Sequence, residues 1–382
     1  AVFGSGETAA AILDGFTITG GGENREGGGL FCLDSDDSNA IANCRFHHNT
    51  AMRGGAIHMN NSSVFVTSCT LSHNSASWNH SPSAVGGGLF AVNSTPTIVA
   101  CVFDENDAWS GGGVYCDGGA PVLRDCTFRR NGTAGNGGGS LCANGTPEFT
   151  DCLFVGNRAS NNGGGAAGEG GDARYTRCRF VANEATEGAG ALCWASPATF
   201  VDCWFGGNEA RSNGGGVTNA DCSADFINCA FNGNLAPSYG GGIFHWENST
   251  STLVNCTFHR NIAGDRGSAF FAWGSGDLIA RNTIFAENLH TAITPFSGSL
   301  INCLFYGNAD GDVYDRGGSL RIGAAEINAN VTGASGNVDG DPAFLAGPAG
   351  VWSADPIYTN WRTILTDSEA SYAEGSLIGK LV

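Results

Sequence analysis

Apolar positions along this chain recur with two superimposed periods, one of two residues and one of about 26. The short period is clear around Cys126, where Leu123, Cys126 and Phe128 are apolar and Arg124, Asp125, Thr127 and Arg129 are polar. Residues two apart in an extended chain share a face, so Cys126 and Phe128 point the same way. Leu123, three positions before the cysteine, breaks that parity and predicts two short strands meeting at a bend just ahead of Cys126. The long period repeats this unit. Its reference position is Cys44, Cys69, Cys101, Cys126, Cys152, Cys178, Cys203, Cys229, Cys256 and Cys303, with Thr283 as the one exception and a weaker first unit at Phe16. A large apolar residue stands two positions later, as in Phe46, Leu71, Phe128 and Phe305. A third strand is predicted after each glycine run, as in Leu89-Phe90-Ala91 and Val114-Tyr115-Cys116.

Five residues after each reference comes an asparagine: Asn49, Asn74, Asn106, Asn131, Asn157, Asn183, Asn208, Asn234, Asn261, Asn288 and Asn308. Fixed-period similarity of this length means a solenoid, in which each unit buries its apolar face against its neighbours. Repeated glycines and the abundance of Val, Ile, Phe, Thr and Cys argue against helical units, and the leucine framework of a leucine-rich horseshoe is missing. The prediction is therefore an all-β, right-handed parallel β-helix of about 12 rungs, three short strands per rung, over residues 1–308. Residues 309–382 read as an irregular β-rich extension belonging to a larger parent chain. Asparagine tolerates the left-handed backbone of a sharp turn, and its amide can bond to the same group one rung above and below, so the Asn column is expected to be a structural ladder. Loss of one central member should cost on the order of 1 to 3 kcal/mol.

Composition adds constraints. The net charge of −18 disfavours nucleic acid and anionic membrane surfaces as partners. No apolar run is long enough for a membrane-spanning helix, so membrane insertion is not expected. The N-terminus lacks signal-peptide character and opens into a rung without a capping helix, which invites stacking of a second molecule on the open end. Of 15 cysteines, ten fill the reference column, and Cys32, Cys116, Cys142 and Cys193 fill a second one after the glycine-led strand. Buried free thiols packed along the axis are the favoured reading. Disulfides within a rung (Cys116 with Cys126, Cys142 with Cys152, Cys193 with Cys203, Cys32 with Cys44) are the alternative.

The alternation of F-x-x-N (Phe46 to Asn49, Phe154 to Asn157) with GG-apolar-apolar (Gly54-Gly55-Ala56-Ile57, Gly112-Gly113-Val114-Tyr115) resembles the repeats of polymorphic outer-membrane proteins, and more broadly the β-helix repeat proteins of bacterial surfaces. The resemblance runs over residues 11–308 and implies an extracellular or cell-surface setting. It departs from the family in having no membrane-barrel domain after the repeats.

Chemistry is sparse. The one adjacent aspartate pair, Asp36-Asp37, sits in an early turn, and the eight histidines read as scattered over different columns. No cofactor is expected, with calcium as the one candidate. Asn308, Asp310, Asp312 and Asp315 offer oxygen ligands at alternate spacing, like the front of a calcium loop. Asp125, Asp151 and Asp202 precede the reference cysteine, where turn chemistry accounts for them as well as calcium does. Sequons at Asn61, Asn93, Asn144, Asn248 and Asn330, among others, leave glycosylation open. Candidate binding residues are Trp194, Trp246 and Trp273, expected to face outward from the glycine-led strands, extended by Phe31, Phe90, Tyr115, Phe244 and Phe271 two positions earlier. Trp78 and His80, in the insertion of the long third gap, are a separate loop candidate. The expected function is an extracellular structural or interaction rod, displayed at the cell surface or assembled into a filament, whose partners are copies of itself, end to end or lateral, or surface glycans. A carbohydrate-binding or polysaccharide-lyase-like module is the alternative.

Overall fold

The computed structural model describes residues 2–3, 11–22, 24–77, 81–274 and 276–342. The chain is a right-handed parallel β-helix whose strands stack into sheets of 14, 13, 13 and 10 members. One rung shows how the sequence builds it. Val114–Asp117 lies in the first sheet, Val122–Arg124 in the second, Thr127–Arg129 in the third, and the two-residue strand Gly132–Thr133 in the fourth. The next rung repeats this in register, with Cys116 opposite Cys142, Leu123 opposite Phe149 and Phe128 opposite Phe154. The fourth sheet was not expected from the sequence: two-residue strands leave no alternation to read.

Corners are made by left-handed residues. From Cys44 to Cys303 the residue before each reference position has φ between 50° and 55°, whether it is Asn43, Asp125, Arg177 or Ala100. The expected bend ahead of the cysteine is this residue. The left-handed corner near the Asn ladder, however, is the residue before the asparagine, as at Arg130, Ala182 and Glu287, and not the asparagine itself. A third corner takes Asn61, Asn93, Asn144 and Asn248, so these four sequon asparagines stand at a left-handed turn that Asn tolerates well. The glycine runs have a steric origin. A Cβ on Gly139 would lie 2.4 Å from the Gly165 carbonyl oxygen of the next rung, too close for any side chain.

Two aromatic columns fill the core. Phe103, Phe128, Phe154, Phe180, Phe205, Phe231 and Phe258 stack with centroids 4.5 to 4.9 Å apart and planes within 4°. Phe149, Tyr175, Phe200 and Phe226 form a parallel stack that meets the first edge-on, for example at 5.6 Å and 63° between Phe149 and Phe154. All 15 cysteines are buried and free, so the within-rung disulfides are not formed. Each reference thiol serves instead as a weak donor to backbone, as Cys126 Sγ does to the carbonyls of Ile98 (3.5 Å) and Arg124 (3.2 Å). The Thr283 hydroxyl takes the same role, donating to the Arg281 carbonyl at 3.0 Å and accepting from the Cys256 amide at 3.4 Å.

The rungs continue beyond residue 308, where the sequence reading had ended them. Ala334–Ser335 and Val338–Asp339 add a further strand to the second and third sheets. Asn337 stands at the reference position, accepting from the Cys303 amide (2.9 Å) and donating to the Leu300 carbonyl (3.1 Å). Between these strands and the antiparallel strand Leu320–Arg321 lies the helix Ala324–Asn330, which sends Ile327 into the core with Val331 after it. No helix among the described residues is long and apolar enough to cross a membrane, which leaves strand-built barrels aside.

Candidate functional site

The Asn column is buried and every polar atom of its central members is used. Asn157 Oδ1 accepts from the Asn131 amide and from Asn131 Nδ2, both at 3.0 Å. Asn157 Nδ2 donates to the Phe128 carbonyl (2.9 Å) and to Asn183 Oδ1 (3.0 Å). The pattern repeats from Asn49 to Asn308. At the first end Asn49 Oδ1 accepts from the Gly21 amide (3.0 Å), and at the last Asn308 Nδ2 donates to Asp312 Oδ1 (2.8 Å). Amides committed in this way have nothing left for a ligand.

That terminal bond also settles what the acidic run does. Asp312 Oδ2 accepts from the Gly323 amide at 2.8 Å, and burial pushes its carboxyl above the usual range. Asp315 accepts from the Ser319 amide (2.9 Å) and pairs with Arg321 (3.0 Å), while Asp310 lies 2.5 Å from His290 Nδ1. Asn308 and Asp312 thus bond to each other while Asp310 and Asp315 turn to other partners, so the four side chains do not face one common point. Among the described residues no group of three or more His, Cys, Asp or Glu side chains is placed to hold a metal ion. Two of the corner carboxylates are likewise engaged: Asp151 takes a two-pronged pair from Arg177 (2.7 Å each), and Asp202 accepts from Asn228 Nδ2 at 3.0 Å.

The histidines are less scattered than the sequence reading held. His48 and His73 occupy one corner column and stack at 5.2 Å and 13°, with His73 Nε2 2.6 Å from Glu105 Oε2. Inside the core, His245 Nε2 lies 2.7 Å from Ser251 Oγ and 3.2 Å from Asn219 Nδ2. Burial lowers the His245 pKa to about 3, so the ring is neutral, and its full enclosure denies it a substrate. Sequence reasoning passed over this group. Its signal was two polar residues, Asn219 and His245, in a column otherwise filled by Cys32, Met59, Ala91 and their like.

The outer face of the first sheet is where accessible chemistry gathers. Trp194, Trp246 and Trp273 are 50%, 36% and 46% exposed, as large apolar rings seldom are on a rigid sheet. They share one register row: Trp194 pairs with Ala220, and Trp246 bonds through its amide to the Asn219 carbonyl one rung before. In the row two positions earlier Phe31 and Tyr115 are partly exposed, but the members nearest Trp246 and Trp273 do not extend the strip. Phe90, Phe244 and Phe271 lie on this face but are 5%, 0% and 7% exposed. The left-handed glycine ahead of each strand folds back over them, since a Cβ on Gly240 would lie 2.7 Å from Phe244 Cβ and one on Gly267 the same distance from Phe271 Cβ. His58 belongs to this covered row, between Phe31 (5.0 Å) and Phe90 (4.9 Å), and burial with the nearby Arg53 lowers its pKa to about 4. Trp78 and His80 lie outside the described residues.

Around the tryptophans the rings are held in place. Trp246 Nε1 donates to Glu187 Oε2 at 2.7 Å, and Asn213 Nδ2 donates to Glu187 Oε1 at 3.0 Å. The Trp246 ring stands edge-on to Phe244 (5.1 Å, 88°) and 6.2 Å from Trp273. Tyr239 stacks on Phe271 at 4.3 Å and meets Trp273 at 5.8 Å, and its hydrogen bond to Asp265 pushes its phenol up. Arg266 sits 5.4 Å over the Tyr314 ring, and Arg316 donates to the Gly274 and Gly276 carbonyls at 2.9 and 3.0 Å.

A family model for a right handed beta helix region matches residues 4–180. No curated protein sequence matches the chain. Among solved structures, a double mutant of the periplasmic alginate epimerase AlgG is similar with TM-score 0.38 and 13% identity, over 81% of this chain and 75% of that one. The A-module of the Azotobacter vinelandii mannuronan C-5 epimerase AlgE6 is similar with TM-score 0.38 and 13% identity, over 87% of this chain and 91% of that one.

Proposed function

We propose that the chain is an extracellular interaction scaffold, a stiff rod that binds its partner along the flank formed by the first sheet. The observation that carries this is the row Trp194, Trp246 and Trp273, half-exposed on a ladder of hydrogen-bonded strands that costs nothing to order on binding. The likeness of the F-x-x-N and GG-apolar-apolar units to polymorphic outer-membrane protein repeats supports a cell-surface setting. Flank binding is favoured over stacking at the far end because Ile327 and Val331 join the core at the last described rungs. It is favoured over catalysis because Glu187 and Asp265 beside the rings are engaged by an indole, an amide and a phenol. They are not arranged as a facing pair for acid and base work.

The test uses the whole chain and the variant Trp194→Ala/Trp246→Ala/Trp273→Ala, after circular dichroism shows that both fold. Sedimentation of each protein alone, and pull-down with a panel of insoluble and soluble extracellular polysaccharides, should give an association in the native chain that the triple variant loses. An association that survives in the triple variant, or release of new sugar ends from any polysaccharide, overturns the proposal.

A further inference from the structure

The flank reading leaves open what binds there, and the inference that follows rests on it. We infer that the tryptophan row is a platform for a neutral polysaccharide chain lying along the axis of the β-helix, across Trp273 and Trp246 and towards Trp194. Three observations point to this occupant over a protein surface or a charged polymer.

First, the rings are spaced as a repeating ligand would require. Rungs of a parallel sheet are about 4.8 Å apart, close to the length of one pyranose unit in an extended chain. Trp246 and Trp273 stand on successive rungs with centroids 6.2 Å apart, and Ala220 opens one vacant step between Trp246 and Trp194. A polymer of identical rings can therefore meet aromatic faces at steps one, two and four of a four-rung run, with room for an unstacked unit at the third.

Second, two of the three rings are fixed before any ligand arrives. The Trp246 indole is anchored through its own N–H to Glu187, which Asn213 holds in turn. Trp273 packs against Phe271 and Tyr239. Sugar rings present weakly polarised C–H faces, and stacking them on a pre-set indole avoids the side-chain entropy that a mobile tryptophan would lose.

Third, the surrounding polar groups select against anions. Glu187, Glu247 and Asp265 border the rings, Arg266 is drawn to Asp265 and Tyr314, and Arg316 is spent on two backbone carbonyls. The whole chain carries a net charge of −18. Carboxylates accept hydrogen bonds from sugar hydroxyls but repel sugar carboxylates, so a polyuronate is disfavoured where a neutral glycan is welcomed.

Native gel electrophoresis of the full chain tests this, with gels cast without polymer or with a neutral β-glucan, a neutral mannan or polygalacturonate. The expected result is retardation by a neutral polymer, weakened about tenfold by Trp246→Ala or by Trp273→Ala and unchanged by Trp204→Ala on the third sheet. Retardation by polygalacturonate in place of the neutral polymers overturns the inference, as does retardation that Trp246→Ala and Trp273→Ala leave intact. If no gel retards the chain while the triple variant still loses self-association in sedimentation, the glycan inference fails and the flank reading stands with a second copy as partner.

Discussion

Replacing Asn157 by alanine removes four hydrogen bonds from the middle of the ladder, and the structure says what each loss leaves behind. Asn183 Oδ1 keeps the Asn157 backbone amide as a donor, and Asn131 Nδ2 keeps the Phe103 carbonyl as an acceptor. The Asn131 amide, whose acceptor was Asn157 Oδ1, is left with none. At about 1 kcal/mol per bond the loss comes to about 4 kcal/mol, above the 1 to 3 kcal/mol expected from sequence because each amide also bonds to backbone, here the Asn131 amide and the Phe128 carbonyl. Asn157→Asp discriminates further. An ionised carboxylate there would face the Phe128 carbonyl and Asn183 Oδ1 without a proton to offer, so the variant should fold best when protonated. Its folded pKa is raised, so stability is present below the usual aspartate value and lost as pH rises through the folded one. Because rungs of a solenoid can open separately, the assay is hydrogen exchange resolved by residue beside a urea titration. Protection should fall most at Asn131 and Asn183 and fade over neighbouring rungs. A loss below about 1 kcal/mol, or one matched by Asn161→Ala on the exposed surface, would refute the ladder as a source of stability.

Other outcomes follow from the same geometry. Acid should destabilise the fold, because His245 is neutral with a pKa lowered from 6.5 to about 3, while the unfolded chain takes up a proton below 6.5. Stability contributed by this group is complete above pH 6.5 and declines as pH falls towards 3, by about 2 kcal/mol at pH 5. A melting temperature that His245→Gln leaves equally sensitive between pH 7.5 and 5 would contradict this. Gly139→Ala places a methyl 2.4 Å from a backbone oxygen and should cost at least about 2 kcal/mol. Gly207→Ala meets nothing within 4 Å at a corner that Ala182 already fills one rung earlier, so thermal melting should show a loss of about 1 kcal/mol. The thiols should be silent to a water-soluble disulfide reagent in the native state, since burial pushes Cys32 and Cys303 up to about 12, and all 15 should react once the chain is unfolded.

What the sequence made legible was whatever repeats. Phe128 stacks on Phe154 and Asn157 bonds to Asn183 because parallel register converts a sequence period into a spatial column. What it hid was whatever happens once or in two residues. The fourth sheet has strands too short to alternate, and Asn337 fills the reference position with neither a cysteine nor a phenylalanine after it. Parity correctly turned Trp194, Trp246 and Trp273 outward, but parity cannot say that a glycine corner folds over Phe244 and Phe271. The side chains of the acidic run at Asn308 to Asp315 are parted for a related reason. Alternate spacing brings ligands together only in a loop, and here the segment ends one ladder and opens a strand, Val313–Asp315.

The flank is tested most directly by fluorine NMR of the chain labelled with 5-fluorotryptophan, each resonance assigned by single substitution, during titration with a neutral β-glucan. The account predicts that the Trp246 and Trp273 signals move together with saturation and that Trp204 stays still. Signals from Trp246 and Trp273 that remain fixed while the glucan binds elsewhere on the chain would contradict it.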